Sequence, residues 1–155
     1  MTEPTEQKNI SRRTVVKGAA WAAPVIAVAV AAPLAAATVV LVATSIGATT
    51  TSPIVNQVGR IRPFGIDANG DDGKFPAGQT FTLTSAELDF DSIITSITGG
   101  TVTKTGTGTW IITPAADVVA VDIRFTSSVA GSYTLVSNGP VSSGTSWGGS
   151  VIEPA

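Results

Sequence analysis

The stretch Asp67-Ala68-Asn69-Gly70-Asp71-Asp72-Gly73 sets oxygen-bearing side chains at alternate positions 67, 69 and 71, with a further carboxylate at Asp72. Alternate oxygens of this kind converge on one Ca²⁺ in D-x-N-x-D loops, because a hard cation prefers oxygen ligands. The EF-hand pattern itself is not met: its sixth position, a glycine, is here Asp72, and its twelfth, a glutamate, is here Gly78. Asn-Gly and Asp-Gly are also strong turn formers, since they tolerate positive φ. Two readings therefore stand, a weak Ca²⁺ site served by millimolar extracellular calcium or a plain turn with no cofactor.

Glu87, Asp89 and Asp91 form a second acidic cluster. A glycosidase needs two carboxylates facing each other roughly 5–10 Å apart across a cleft. Alternation along one strand would put these three on the same side, which fits a solvated strand face better than a cleft. The chain has no His and no Cys. That removes the commonest general base, the usual partner of a serine nucleophile, thiolate metal sites and disulfides. It also removes the cysteine a lipid-anchored lipoprotein needs. There is no G-x-S-x-G and no S-x-x-K. No catalytic residue is assigned, and the expected class is non-enzymatic. A small secreted hydrolase is the alternative that these absences argue against.

The N-terminal part carries a different signal. A polar segment, Met1–Ile10, precedes Ser11-Arg12-Arg13-Thr14-Val15-Val16-Lys17, and an uncharged Ala- and Val-rich run follows from Gly18 to Ala37. It closes on Ala35-Ala36-Ala37, small residues of the A-x-A type, so a signal peptidase is expected to cut between Ala37 and Thr38. Ser11, Arg12, Arg13, Val16 and Lys17 resemble the twin-arginine (Tat) export motif, with Val15 where that family usually has Phe. The run WAAPVIAVAVAAP is similar to those of small exported proteins of high-GC Gram-positive bacteria. The resemblance implies a Tat translocase and a signal peptidase as partners during export, folded cargo, and a secreted or cell-surface location. The alternative is a retained anchor. No charge appears from Gly18 to Gly59, and Gly18–Ala43 exceeds the ~20 apolar residues that span a bilayer. Pro24 and Pro33 disfavour a smooth helix there without forbidding one. The membrane would then be a partner only if the segment is kept.

On this reading residues 1–37 are the signal and residues 38–155 one domain of about 118 residues, an ordinary single-domain size. Thr, Val, Ile, Ser and Gly dominate it, and β-branched residues suit pleated sheets. Period-two alternation is clearest at Val119–Phe125, where Val119, Val121, Ile123 and Phe125 share one face. It recurs around Phe81 and Leu83 and around Tyr133 and Leu135. Thr101–Thr105 and Thr109–Thr113 flank Gly106-Thr107-Gly108, as in a hairpin. Ser92–Thr98 and Trp147–Ile152 are further strands. Val39–Ile46 is a first strand or the tail of the signal. Ile54–Ile66, with Pro63 inside it, suggests an edge strand or two short pieces. Seven to nine short strands imply an all-β antiparallel sandwich. Ala130-Gly131-Ser132-Tyr133-Thr134-Leu135 resembles the tyrosine corner of immunoglobulin-like domains. The resemblance makes Tyr133 the tyrosine whose hydroxyl bonds back to nearby backbone, with Leu135 where antibody domains carry a Cys. Trp110 is the expected core aromatic, with a ligand groove as its other possible place.

Beyond Lys17 the chain has five basic and nine acidic residues, a formal charge of −4. No run of basic residues marks a patch, so nucleic acid is not an expected partner. The expected function is a binding or structural module at the cell surface, with an extracellular protein or a glycan as partner. Glu153-Pro154-Ala155 carries no sorting motif, so the domain is expected to be free unless another protein holds it.

Overall fold

The computed structural model describes residues 40–155. The export motif (Ser11, Arg12, Arg13, Val16 and Lys17) and the cleavage positions (Ala35, Ala37 and Thr38) lie outside the described residues. The Thr/Val/Ile-rich segments form strands β1 (Ser45–Thr50), β2 (Val58–Ile66), β3 (Asp72–Gly73), β4 (Thr80–Thr84), β5 (Ile94–Thr98), β6 (Gly100–Gly106), β7 (Thr109–Pro114), β8 (Asp122–Thr126), β9 (Gly131–Asn138) and β10 (Ser146–Val151). One helical turn, α1 (Phe90–Ile93), precedes β5. All strands but β3 have five residues or more.

They form two antiparallel sheets packed as a sandwich. The first has the order β1-β2-β8-β5, with β3 beside β2; the second has β10-β9-β4-β7-β6. With β3 and the β6–β7 hairpin set aside and the other seven strands lettered in chain order, the sheets read A-B-E-D and G-F-C, the order of a constant-type immunoglobulin sandwich. The β6–β7 hairpin is added beside C. It turns at Thr107-Gly108, where Gly108 has φ +63.

Period two sorts the core from the surface. Ile61, Ile123 and Phe125 of the first sheet and Phe81, Leu83, Trp110, Ile112, Tyr133 and Leu135 of the second are buried. Phe90 is the hub between the sheets. Its ring packs edge-on against Trp110 and Phe125 at 5.4 Å and Tyr133 at 5.8 Å. Such pairs add about 0.5–1.5 kcal/mol beyond the area they bury.

Three strand expectations change. Pro63 does not mark an edge: β2 is interior, paired with β1 on one side and β8 on the other. The regular β2–β8 ladder ends at Ile61–Ile123. The Val121 N–H donates to the Pro63 carbonyl, and proline has no N–H to return the bond. The partner strand therefore becomes irregular at the proline, while the chain continues. Next, Glu87, Asp89 and Asp91 are not alternate positions of a strand. Ser85–Asp89 crosses from the second sheet to the first, and α1 follows because Phe90 must enter the core. Finally, β1 starts at Ser45, later than Val39. Ahead of it, Leu41 and Ala43 exchange backbone hydrogen bonds with Lys74, and Ala43 is buried.

Candidate functional site

Period two also sets what the first sheet shows outward. Ile61 and Pro63 of β2 point in, so Arg60, Arg62 and Phe64 point out. Strand β8 pairs with β2 so that Ile61 faces Ile123 and Arg60 faces Arg124 directly. On the flanks, β1 sets Thr49 opposite Arg62, and β5 sets Ser96 opposite Arg124 and Thr98 opposite Asp122. Residues far apart in sequence thus share one sheet face, three arginines and one aspartate bordered by hydroxyls.

Asp122 organises it. The Arg60 guanidinium donates from Nε to Oδ1 at 2.9 Å and from Nη2 to Oδ2 at 2.6 Å, a two-pronged fork. This contact holds the Asp122 carboxyl below the usual carboxylate range, with weaker attraction from Arg124 and Arg62. The same contact raises Arg60. All three guanidinium groups therefore act on a single carboxylate. The Arg62 guanidinium lies 5.5 Å from the centre of the Phe64 ring, in cation–π contact. Phe64 in turn lies across Gly47 of β1, where an added Cβ would come within 2.6 Å of the ring. Arg124 is exposed. Among the described residues, the ion pairs include Arg60 but neither Arg62 nor Arg124.

The face has three positive charges against one negative, in a domain where acidic residues prevail. Directly opposed like charges destabilise a strand pair, and one carboxylate among three guanidiniums offsets them only in part. Two described depressions lie away from this face. A depression of about 530 Å³ is lined by Ser85, Glu87, Gly108 and Tyr133 among others. Another, of about 440 Å³, lies by Phe75, Gln79, Thr113 and Asp117. Neither includes a residue of β2 or β8.

The other sequence-derived candidates have structural partners. Asp67 is nearly buried, and its Oδ1 accepts the Asn69 and Asp71 N–H groups at 2.8 and 3.0 Å. Its carboxylate thus closes the turn, with Gly70 at φ +87. Asp72 pairs with Ile66 through β3. Asp67, Asn69, Asp71 and Asp72 share a loop, but among the described residues no three acidic side chains gather in a metal-holding group.

In the second cluster, Glu87 accepts the Ser132 N–H. Asp89 and Asp91 both reach Lys104, at 3.1 and 3.0 Å. Asp91 also accepts the Trp110 indole N–H at 2.8 Å. The hydrogen bonds from Lys104 and Trp110 lower the Asp91 carboxyl, and that to Asp91 is the largest cause raising Lys104.

Trp110, Tyr133 and Leu135 are all buried. The Tyr133 hydroxyl does not bond to the backbone just upstream of it, as a tyrosine corner would. It donates to the Thr51 carbonyl at 2.8 Å, beyond the end of β1. At the corner itself, Ser127 Oγ donates to the Val129 carbonyl and accepts its N–H, closing a turn of its own. Gly149 of β10 lies against the phenol ring, and any side chain there would overlap it. Burial pushes the Tyr133 hydroxyl up to about 12.

The arginine face corrects the expectation of no basic patch. Arg60-x-Arg62 carried a local signal, since residues two apart share a strand face. Arg124 carried none, because its place opposite Arg60 depends on the β2–β8 register. No family model matches the chain, and no curated protein or solved structure matches it.

Proposed function

We propose that this chain is an exported, non-enzymatic binding module that works through the outer face of its first sheet. The observation that carries the reading is the surplus of guanidinium on that face, where Arg60 and Arg124 are opposed and only Asp122 answers them. Lone opposed charges cost stability, and such departures from local rules concentrate at functional sites. An open sheet face outside the described depressions engages a partner rather than enclosing a small substrate, which suits recognition more than catalysis. The absence of His and Cys from the sequence supports the same reading.

Export rests on the resemblance of Ser11-Arg12-Arg13 to the twin-arginine motif and on the small residues ending at Ala37. The Tat translocase and signal peptidase are the partners of that step, and the location is secreted or cell-surface. A tethered form with an uncleaved anchor is the second reading. It is favoured by the exposed Val40, Leu41 and Val42, which continue the apolar run. Cell fractionation and N-terminal sequencing test both. Exported protein beginning near Thr38 supports cleavage, and a full-length chain in the membrane supports the tether. Export that survives Arg12→Lys with Arg13→Lys contradicts the Tat route.

A further inference from the structure

We propose that the arginine face binds an acidic polysaccharide, a polymer carrying carboxylates on hydroxylated rings. The inference rests on the binding-module reading and adds the class of ligand. Three features of the face point to it.

The first is shape. Arg60 and Arg62 are two residues apart on β2, or about 6.6–6.8 Å. Arg124 lies one strand away, about 4.5–5.5 Å across the ladder. The cations thus form a plane on an open sheet rather than a ring around a cavity. An extended polyanion meets such a plane at several points, whereas a small anion would meet one.

The second is chemistry. Arg60 is already forked onto Asp122. Arg62 and Arg124 keep their planar donor sets for a ligand, and guanidinium matches carboxylate geometry in two-pronged fashion. Asp122 positions Arg60 and keeps the three cations from repelling one another unchecked.

The third is the surround. Exposed hydroxyls of Thr49, Ser96 and Thr98 border the arginines on the same sheet face. They supply donors and acceptors for sugar hydroxyls. Phe64, half-buried with its ring against Gly47 and Arg62 over it, holds Arg62 beside this hydroxyl border.

Two other polyanions fit less well. An acidic peptide gains most of its affinity from an anchor side chain in a desolvated pocket, and no depression described above lies on this face. Nucleic acid requires a broad basic footprint, whereas beyond Lys17 the chain has five basic residues against nine acidic.

The test is affinity electrophoresis of the purified full chain in gels containing polygalacturonate, with dextran, polyglutamate and a single-stranded oligonucleotide as parallel probes. Polygalacturonate is expected to retard the protein, less so as salt rises, while the other three leave it unshifted. Arg62→Gln and Arg124→Gln should each weaken the shift about tenfold or more, the scale of one charge-assisted contact. Circular dichroism confirms that both variants are folded. No retardation by polygalacturonate overturns the proposal, as do variants that bind like the parent. Equal retardation by polyglutamate or the oligonucleotide overturns it in favour of general polyanion binding. Localisation is measured separately, so a protein that is exported yet ignores polyuronate refutes this inference alone.

Discussion

On the outer face of the first sheet, three arginines share one aspartate. At the seam between the sheets, beside the β6 edge, one lysine is shared by two aspartates. The parts are similar and the balance is opposite. At the seam Lys104 and both aspartates all take part in ion pairs, and Lys104 and Asp89 line a depression of about 230 Å³ with Glu87 and Trp110. Lys104 faces inward over Trp110, 5.5 Å from its ring, and Asp91 takes the indole N–H. An inward-facing charge on an edge strand also discourages edge-to-edge pairing. On the face, two of the three cations have no ion-pair partner among the described residues. The two regions thus differ in pairing: Lys104, Asp89 and Asp91 all lie in ion pairs that hold the seam, while Arg62 and Arg124 lie in none among the described residues and are left for a ligand.

The comparison can be broken at either region. The largest effect is expected where the seam meets the core. Phe90, carried between Asp89 and Asp91, is fully buried against three aromatic rings. Phe90→Ala should cost about 3–5 kcal/mol in urea unfolding. A cost below about 1 kcal/mol would mean that the crossover is not built around this ring.

A smaller effect is expected at high pH. The chain has a single tyrosine, so phenolate absorbance follows Tyr133 alone. Burial raises its folded value to about 12 from an ordinary 10.0. A raised value favours the neutral form in the folded state. This stabilisation is complete below pH 10 and is lost as pH climbs through about 12. The absorbance should rise together with loss of the fold. A reversible step near pH 10 in folded protein would show that the hydroxyl is not enclosed.

At low pH the sign reverses. Asp91 and Asp122 are held below their ordinary value of 3.8 by Lys104 with Trp110 and by Arg60 respectively. Their contribution is complete above that value and fades as pH falls beneath it. Acid titrations of Asp91→Asn should show a modestly lower midpoint at neutral pH and a shallower loss below pH 3.8. Polyuronate binding should not change. Loss of binding in this variant would merge the two regions into one site.

The smallest effect concerns stability on the face itself. Arg124→Gln removes one of two opposed like charges. Its thermal midpoint should equal or exceed that of the parent. A clear drop would mean that the arginines serve the fold and that their surplus needs no ligand.

How much of this was legible in the sequence follows from how local each feature is. The hairpin across Gly106-Thr107-Gly108 is set by neighbours in the chain and matches β6 and β7, whereas the alternation at Val119–Phe125 marks β8 only from Asp122, with Val119 ahead of the strand and half-buried. Leu135 was placed inward by its alternation with Thr134, and Trp110, expected in the core or in a ligand groove, is buried in the core. Pro63 misled, because whether a missing N–H matters depends on the strand across from it. Glu87, Asp89 and Asp91 misled because their even spacing imitates a strand, while the crossover needs Phe90 buried between them. The Tyr133 hydroxyl found a carbonyl 82 residues upstream, which no local motif encodes. The candidate site was half visible: Arg60 and Arg62 share a strand face by spacing, but Arg124 and Asp122 join them only through the sheet register.

Under the proposal above, excess guanidinium on the first sheet, rather than positive charge in general, makes this domain a binding module. This is tested most directly by comparing Arg124→Gln with Lys104→Gln in the polygalacturonate assay, since each removes one positive charge. About tenfold or greater loss is expected for Arg124→Gln and parent-like retardation for Lys104→Gln. Equal losses in both variants, or a loss for Lys104→Gln alone, would contradict it.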